Sequence, residues 1–260
     1  MSKFHYDVHE GNGPYLLLLH GILSSRAQWQ RNLDGLRQSS TPVVAESWGH
    51  GRSPSPANPA LYTPMAYVEQ LENIRRELGA ETWFVCGQSF GATTTLRYCL
   101  QYPERVRGQI FTNSTSALAP PELTRTLYKN PAMMAANIRQ KGQVGLEAIS
   151  VHPSKARRLP DGAREELLVD APLLNANGLA NVFQYNSPFS SVAELVPNLT
   201  VPTLLVVGER EKRFVQHRQY AEKHIPNLQV VAADGGHAVN IDAPDAFNQA
   251  VTEFIVRNSD

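Results

Sequence analysis

The chain is 260 residues long, which suits one α/β domain with an insertion better than two independent domains. Hydrophobic residues make up 42%, enough for a sizeable core, and Lys+Arg and Asp+Glu both number 24, so the formal net charge is zero. Without a basic stripe or a polybasic segment, neither a nucleic-acid partner nor a membrane-surface partner is expected.

Two cysteines, Cys86 and Cys99, do not make a disulfide framework. Both read as buried thiols, which suits a reducing, cytoplasmic location. The first ten residues contain no apolar h-region, so no signal peptide is expected. The longest apolar run near them, Tyr15 to Leu19, is far too short to span a bilayer. Asn113-Ser114-Thr115 and Asn198-Leu199-Thr200 match glycosylation sequons and, without a secretion signal, read as coincidences.

In chain order, Lys3 to Glu10 alternates polar and apolar as an edge strand does, and Gly11-Asn12-Gly13-Pro14 is a turn. Tyr15 to Leu19 is a continuous apolar run, the mark of a strand buried on both faces of a parallel sheet. His20-Gly21-Ile22-Leu23-Ser24-Ser25 follows, then a helical run from Ala27 to Gln38 with Trp29, Leu33 and Leu36 on one side. Thr41 to Glu46 is the next strand, and Ser47 to Pro54 is a loop rich in Gly and Pro. Tyr62 to Leu78 reads as a helix, with Thr63 as N-cap and Pro64 at the first helical position.

Trp83-Phe84-Val85-Cys86 is a strand, Gly87-Gln88-Ser89-Phe90-Gly91 a tight turn, and Ala92 to Tyr98 the start of a helix. A strand, a two-glycine turn and a helix with serine at the apex make a nucleophile elbow. Such a turn strains the serine backbone and aims its hydroxyl beyond the strand end, while the N–H groups of the helix start face any anion formed there.

Gly108 to Asn113 is another strand. From about Ala117 to Ser187 the alternation stops and only helix-like segments remain, near 121–130, 131–140, 144–151, 162–169 and 172–185. Residues 117–187 therefore read as an all-helical lid, and 1–116 with 188–260 as the core. The β/α pattern resumes with Thr203 to Val207, a helix near Val215–His224, a strand Leu228–Ala232 and a last helix Pro244–Val256. This order implies a mostly parallel sheet with helices on both faces.

A serine hydroxyl needs a base within hydrogen-bond reach, and the base needs an orienting acid. His237 follows a late strand in the Gly-rich stretch Ala233-Asp234-Gly235-Gly236, unlike the other seven histidines, and is the candidate base. The acid is expected after the strand Thr203–Val207, where Gly208-Glu209-Arg210-Glu211-Lys212 offers Glu211 first and Glu209 second. Asp234 lies only three residues before His237 and is less well placed to reach its far ring nitrogen. Oxyanion donors are expected from the backbone N–H groups of Phe90, next to the serine, and Ile22, in the loop after Tyr15–Leu19. His20 and His50 follow early strands and read as holders of their own loops.

The sequence resembles the α/β-hydrolase superfamily over nearly its whole length. The matching pieces are His20-Gly21, Gly49-His50-Gly51-Arg52-Ser53, the Gly87 to Gly91 turn, Pro202 to Gly208, and Gly236-His237. Glu211 stands where the family usually has Asp, and Glu46 stands at a structural position that often holds Asp. The resemblance implies a triad of Ser89, His237 and Glu211, a lid over it that supplies most substrate contacts, a small-molecule substrate, and neither cofactor nor metal. It also implies a serine hydrolase of the esterase, thioesterase or C–C hydrolase branch, acting through an acyl-enzyme. The alternative is a lyase or synthase using the same groups as acid–base machinery. A carboxylate-dependent epoxide hydrolase or dehalogenase is excluded by the serine at the elbow.

A small or medium apolar acyl group is expected, from apolar lid residues such as Met134, Leu179 and Phe183 and from Trp48 and Trp29 near the entrance. His20, Trp48 and Phe183 are the candidate pocket residues. Arg125, Arg139, Arg157 and Arg158 either bind a substrate carboxylate or form a solvated face.

Overall fold

Seven strands form one sheet in the order β1-β3-β2-β4-β5-β6-β7. They are β1 His5–Val8, β2 Tyr15–Leu19, β3 Thr41–Glu46, β4 Trp83–Gly87, β5 Val106–Thr112, β6 Thr203–Gly208 and β7 Leu228–Ala233. Only β1 runs antiparallel, pairing His5 with Glu46, and the other neighbours are parallel. The computed structural model describes residues 2–128 and 130–259. Lys129, within the stretch expected as helix 121–130, and the side chain of Leu127 lie outside the described residues.

The continuous apolar runs have a direct cause in the layering. In β2, Leu17 and Leu19 pack with Tyr67, Val68 and Leu71 of the helix Pro64–Glu77 on one face. Leu16 and Leu18 pack with Phe247, Val251 and Phe254 of the helix Pro244–Arg257 on the other. Alternate side chains of a strand point to opposite faces, so a strand covered on both sides must be apolar throughout. Each of these leucines is essentially inaccessible to solvent, and each contributes roughly 1.5–3 kcal/mol of burial.

The helix Pro64–Glu77 begins as its sequence dictates, with the Thr63 side chain accepting the Ala66 N–H at 3.3 Å and Pro64 at the first position. The expected helix 27–38 instead forms a 3₁₀ turn, Arg26–Trp29, and a single turn, Leu33–Leu36. Gly35 lies inside it, and the Asn32 side chain is drawn to the carbonyl of Asn240 rather than to a cap.

Every element between β5 and β6 is helical, from Thr115–Leu118 to Val196–Asn198. These helices are short, and one segment, Val182–Asn186, is wound as a π-helix. The stretch expected as helix 144–151 is helical only over Gln143–Glu147, and that expected over 172–185 is split by a break at Leu174 and Asn175. Among the described residues, no helix is long and apolar enough to cross a membrane.

Candidate active site

Three strands end in loops that meet on one side of the sheet. At the end of β4 the chain turns directly into the helix Phe90–Gln101, and Ser89 occupies the turn with φ 51° and ψ −113°. This conformation is unfavourable for any residue with a Cβ, at a cost of about 1–3 kcal/mol, and persists only where its surroundings enforce it. The enforcement is visible. Gly91 N–H donates to Gln88 O at 2.8 Å, Ala92 N–H to Ser89 O at 3.0 Å, and the Ser114 hydroxyl to Ser89 O at 2.6 Å. A Cβ at Gly87 would come within 2.5 Å of the Ala92 backbone, and one at Gly91 would meet the carbonyl of Leu19. Both glycines are therefore fixed by close approach.

His237 lies in the loop after β7. Its Nε2 is 2.8 Å from Ser89 Oγ, and its Nδ1 is 3.0 Å from both carboxylate oxygens of Glu211. The Gln88 amide donates to the His237 carbonyl at 3.2 Å, tying the histidine loop to the turn that carries the serine.

Glu211 follows β6, and a second partner sets its orientation. Asn113, just past the end of β5, donates to Glu211 Oε2 at 2.8 Å and to Gly208 O at 3.1 Å, and accepts from Gly208 N–H at 3.0 Å. One buried amide thus clamps β5 to β6 and aims the carboxylate. Burial works against the charged form of Glu211. The hydrogen bond and positive charge of His237, then the bond from Asn113, outweigh it and hold the carboxyl below its usual range. Glu209 is exposed, with only its backbone N–H engaged, to Ala233 O at 3.1 Å. Asp234 faces Arg210, at 3.3 Å. Of the three carboxylates considered, only Glu211 reaches the imidazole.

The loop after β2 approaches the serine, and a Cβ on Gly21 would lie 3.3 Å from Ser89 Cβ. Two buried histidines hold this loop. His20 places Nδ1 2.7 Å from Gly21 O while Nε2 accepts the Ser47 N–H at 3.1 Å. His50 Nε2 accepts the N–H of Leu23 at 3.1 Å, and Leu23 itself has φ 59°. Burial pushes the pKa of both rings down, which keeps them neutral and able to accept. Among the described residues, the backbone N–H groups of Ile22 and Phe90 have no protein partner. Phe90 opens its helix, so its N–H is one of the donors that a helix start leaves free.

Glu46 is inaccessible to solvent at the end of β3 and accepts from Arg26 N–H, Arg52 N–H and the Arg52 guanidinium at 3.0–3.2 Å. It braces the loops on either side of the histidine pair.

A cavity of about 900 Å³ opens over Ser89 and His237. Its apolar wall includes Ile22, Leu23, Val151, Leu159 and Leu167. The expected pocket residues are not among those that line it. Trp48 is fully buried against Phe4, Tyr62 and Tyr67, with ring centroids 5.0–5.9 Å away. Phe183 packs into the core beside Tyr128, and His20 is spent on its own loop. Trp29 is likewise enclosed, beside Phe247. These large side chains are drawn away from the cavity because their area stabilises the chain most when water is excluded entirely. The cavity wall comes instead from the irregular stretch 151–159, whose lack of periodicity gave no helical face to read. Arg157 and Arg158 line it, whereas Arg139 is bonded to Asn181 Oδ1 at 2.7 Å. Sequence reasoning also missed Asn113 and Gln88 as positioning groups. Their only signal is a polar residue placed just beyond a buried strand.

Among the described residues, no group of three His, Cys, Asp or Glu side chains is placed to hold a metal ion. A hydroxyl, an imidazole and a carboxylate in line at the ends of parallel strands, with free N–H groups beside the hydroxyl, define the α/β-hydrolase class. The chain belongs to that family: the model of the alpha/beta hydrolase fold matches residues 14–244. It is similar to the carboxylesterase YbfK of Bacillus subtilis, at 24% identity over 94% of this chain and 81% of the relative. It is also similar to a 2-(acetamidomethylene)succinate hydrolase of Mesorhizobium japonicum, at 24% identity over 95% and 89%. Among solved structures, MenH from S. aureus shares the fold with a TM-score of 0.84, at 18% identity and covering 98% of this chain and 99% of that one.

Proposed function

We propose that the protein is a serine hydrolase that cleaves a carboxylic ester, thioester or related carbonyl bond of a small or medium apolar substrate through an acyl-enzyme. The observation that carries this reading is the unbroken line of hydrogen bonds from Ser89 through His237 to Glu211. Ser89 attacks the carbonyl as His237 Nε2 takes its proton, and His237 returns that proton to the leaving group. Glu211, kept ionised by its partners, holds the imidazole by Nδ1–H and stabilises the imidazolium. Ile22 and Phe90 N–H groups hold the oxyanion, and losing one such donor typically costs on the order of 10²–10³ in kcat. Water, activated by the same histidine, then releases the acid.

The helical insertion acts as the lid in this reading, because its stretch 151–159 forms one wall of the cavity above Ser89. A cytoplasmic location belongs to the same proposal, supported by the free, buried Cys86 and Cys99.

Active-site labelling with a fluorophosphonate, followed by peptide mapping, should find the label on Ser89. An activated ester should give a burst of alcohol that is absent in Ser89→Ala. Full turnover by Ser89→Ala would overturn the mechanism. Labelling of Ser89 with no burst would favour a lyase or C–C hydrolase using the same groups for acid–base work.

A further inference from the structure

Beside its apolar residues the cavity is lined by exposed cations. Lys155, Arg157 and Arg158 from the helical insertion line it together with Arg210, Lys212 and Arg213 from the loop after β6. The only acids in the lining are Glu211, which faces His237 and Asn113, and Asp242, which accepts the Gly236 N–H at 2.6 Å. This imbalance arises in a chain whose formal net charge is zero.

Elsewhere several arginines are paired with carboxylates. Arg31 meets Glu166, Arg52 meets Glu46, Arg75 meets Glu72 and Arg218 meets Glu222, each within 3.0 Å. At the cavity only Arg210 finds carboxylates, Asp234 at 3.3 Å and Asp242 at 3.7 Å. Among the described residues, the side chains of Lys155, Arg157, Arg158, Lys212 and Arg213 have neither an ion pair nor a hydrogen bond. A solvated rim of mixed charge would place acids between these cations. Here two segments far apart in sequence bring like charges to one cavity, which destabilises the empty site and favours any anion that enters.

We propose that the substrate carries negative charge, as carboxylate or phosphate, outside the bond that is cleaved. This rests on the hydrolase reading and names its substrate class. The apolar residues Ile22, Leu23 and Leu159 take the acyl chain next to Ser89, and the exposed cations take the charged part. A volume of about 900 Å³ is generous for a short ester alone and suits a substrate of this divided character. The charge can sit on the acyl part, as in the half-ester of a dicarboxylic acid, or on the leaving group, as in a thioester of a phosphorylated thiol.

The experiment compares kcat/KM for matched pairs at low salt. One pair is p-nitrophenyl butyrate and mono-p-nitrophenyl glutarate. The other is the butyryl thioester of N-acetylcysteamine and that of coenzyme A. At least one anionic member should exceed its neutral partner by about tenfold or more, with the excess shrinking as salt is added. Which pair responds assigns the charge to the acyl part or to the leaving group. In the double variants Arg157→Ser/Arg158→Ser and Lys212→Ser/Arg213→Ser, the ratio should fall toward one. Turnover of the neutral esters with no anionic preference in either pair would overturn this inference and leave the hydrolase reading standing. Thermal stabilisation by pyrophosphate or tricarballylate, lost in the double variants, reads the anion site without turnover. If no ester turned over, the hydrolase reading would fall and that shift alone would decide whether the site binds anions.

Discussion

The loops at the end of the sheet and the helical insertion that faces them are built under opposite constraints. At the sheet end nearly every atom is accounted for. Ser89 is forced to a positive φ, Gly87 and Gly91 leave no room for a side chain, Asn113 clamps two strands, and His20 and His50 each spend one ring nitrogen on their own loop and one on the other's. The insertion is made of short helices, and it leaves Met133, Val144 and Val169 more than half exposed. Its largest apolar residues hold it to the core, and its irregular, charged stretch faces the cavity. One region can fix a reaction while the other varies what is brought to it.

If this division holds, changes at the sheet end should lower the rate for every substrate. Ser89→Ala tests it most severely, and kcat for any ester should drop by about 10⁴–10⁶. Burst kinetics will register this, and a smaller loss would mean another group carries the attack. Glu211→Gln should cost about 10³–10⁴ in kcat with KM little changed, because the imidazole loses its anionic partner. The same variant has a stability signature. Glu211 is held below its ordinary value of 4.5, so its charge adds stability above that pH and loses it as the pH falls through the lowered value. Urea midpoints of the wild type should fall more steeply on acidification through this window than those of Glu211→Gln.

Trp48→Ala separates a core residue from a pocket residue. Its loss should destabilise the fold by about 3–5 kcal/mol, read by denaturant melts, while relative rates across acyl lengths stay as they are in the wild type. A changed acyl preference with an intact fold would return Trp48 to the cavity. Leu159→Ala, at a half-buried residue packed beside Leu167 and Ile241, should cost less stability than Trp48→Ala and shift preference toward longer acyl groups by roughly tenfold. The smallest effect belongs to Glu209→Gln, which should stay within about twofold in kcat, since its side chain faces solvent.

The contrast also explains what the sequence made legible. The strands of the central sheet announce themselves because burial on both faces leaves no polar position in a run such as Leu16 to Leu19. The turn at Ser89 is readable because only glycine fits at 87 and 91, so the local pattern carries the geometry. Glu211 could be ranked above Glu209 only by its spacing from Gly208, since both lie in one short loop and the deciding contact, Asn113, comes from another strand. The pocket was misread for a physical reason. In the insertion, apolar character marks attachment to the core, as Phe183 and Leu179 show, and the cavity wall is drawn from residues with no periodicity. The stretch 172–185 reads as one helix, whereas the chain breaks it at Leu174 and Asn175 and winds Val182–Asn186 as a π-helix, neither of which leaves a compositional mark.

The backbone at residue 89 also sets the fold's stability against the chemistry proposed there. A glycine there would adopt φ 51° freely, and relief of the strain would make the fold more stable by about 1 kcal/mol. The folding problem, taken alone, favours replacing the residue that the proposed mechanism uses as its nucleophile. Serine at 89 is thus a cost to the fold, and Ser89→Gly should unfold at a higher denaturant concentration than the wild type.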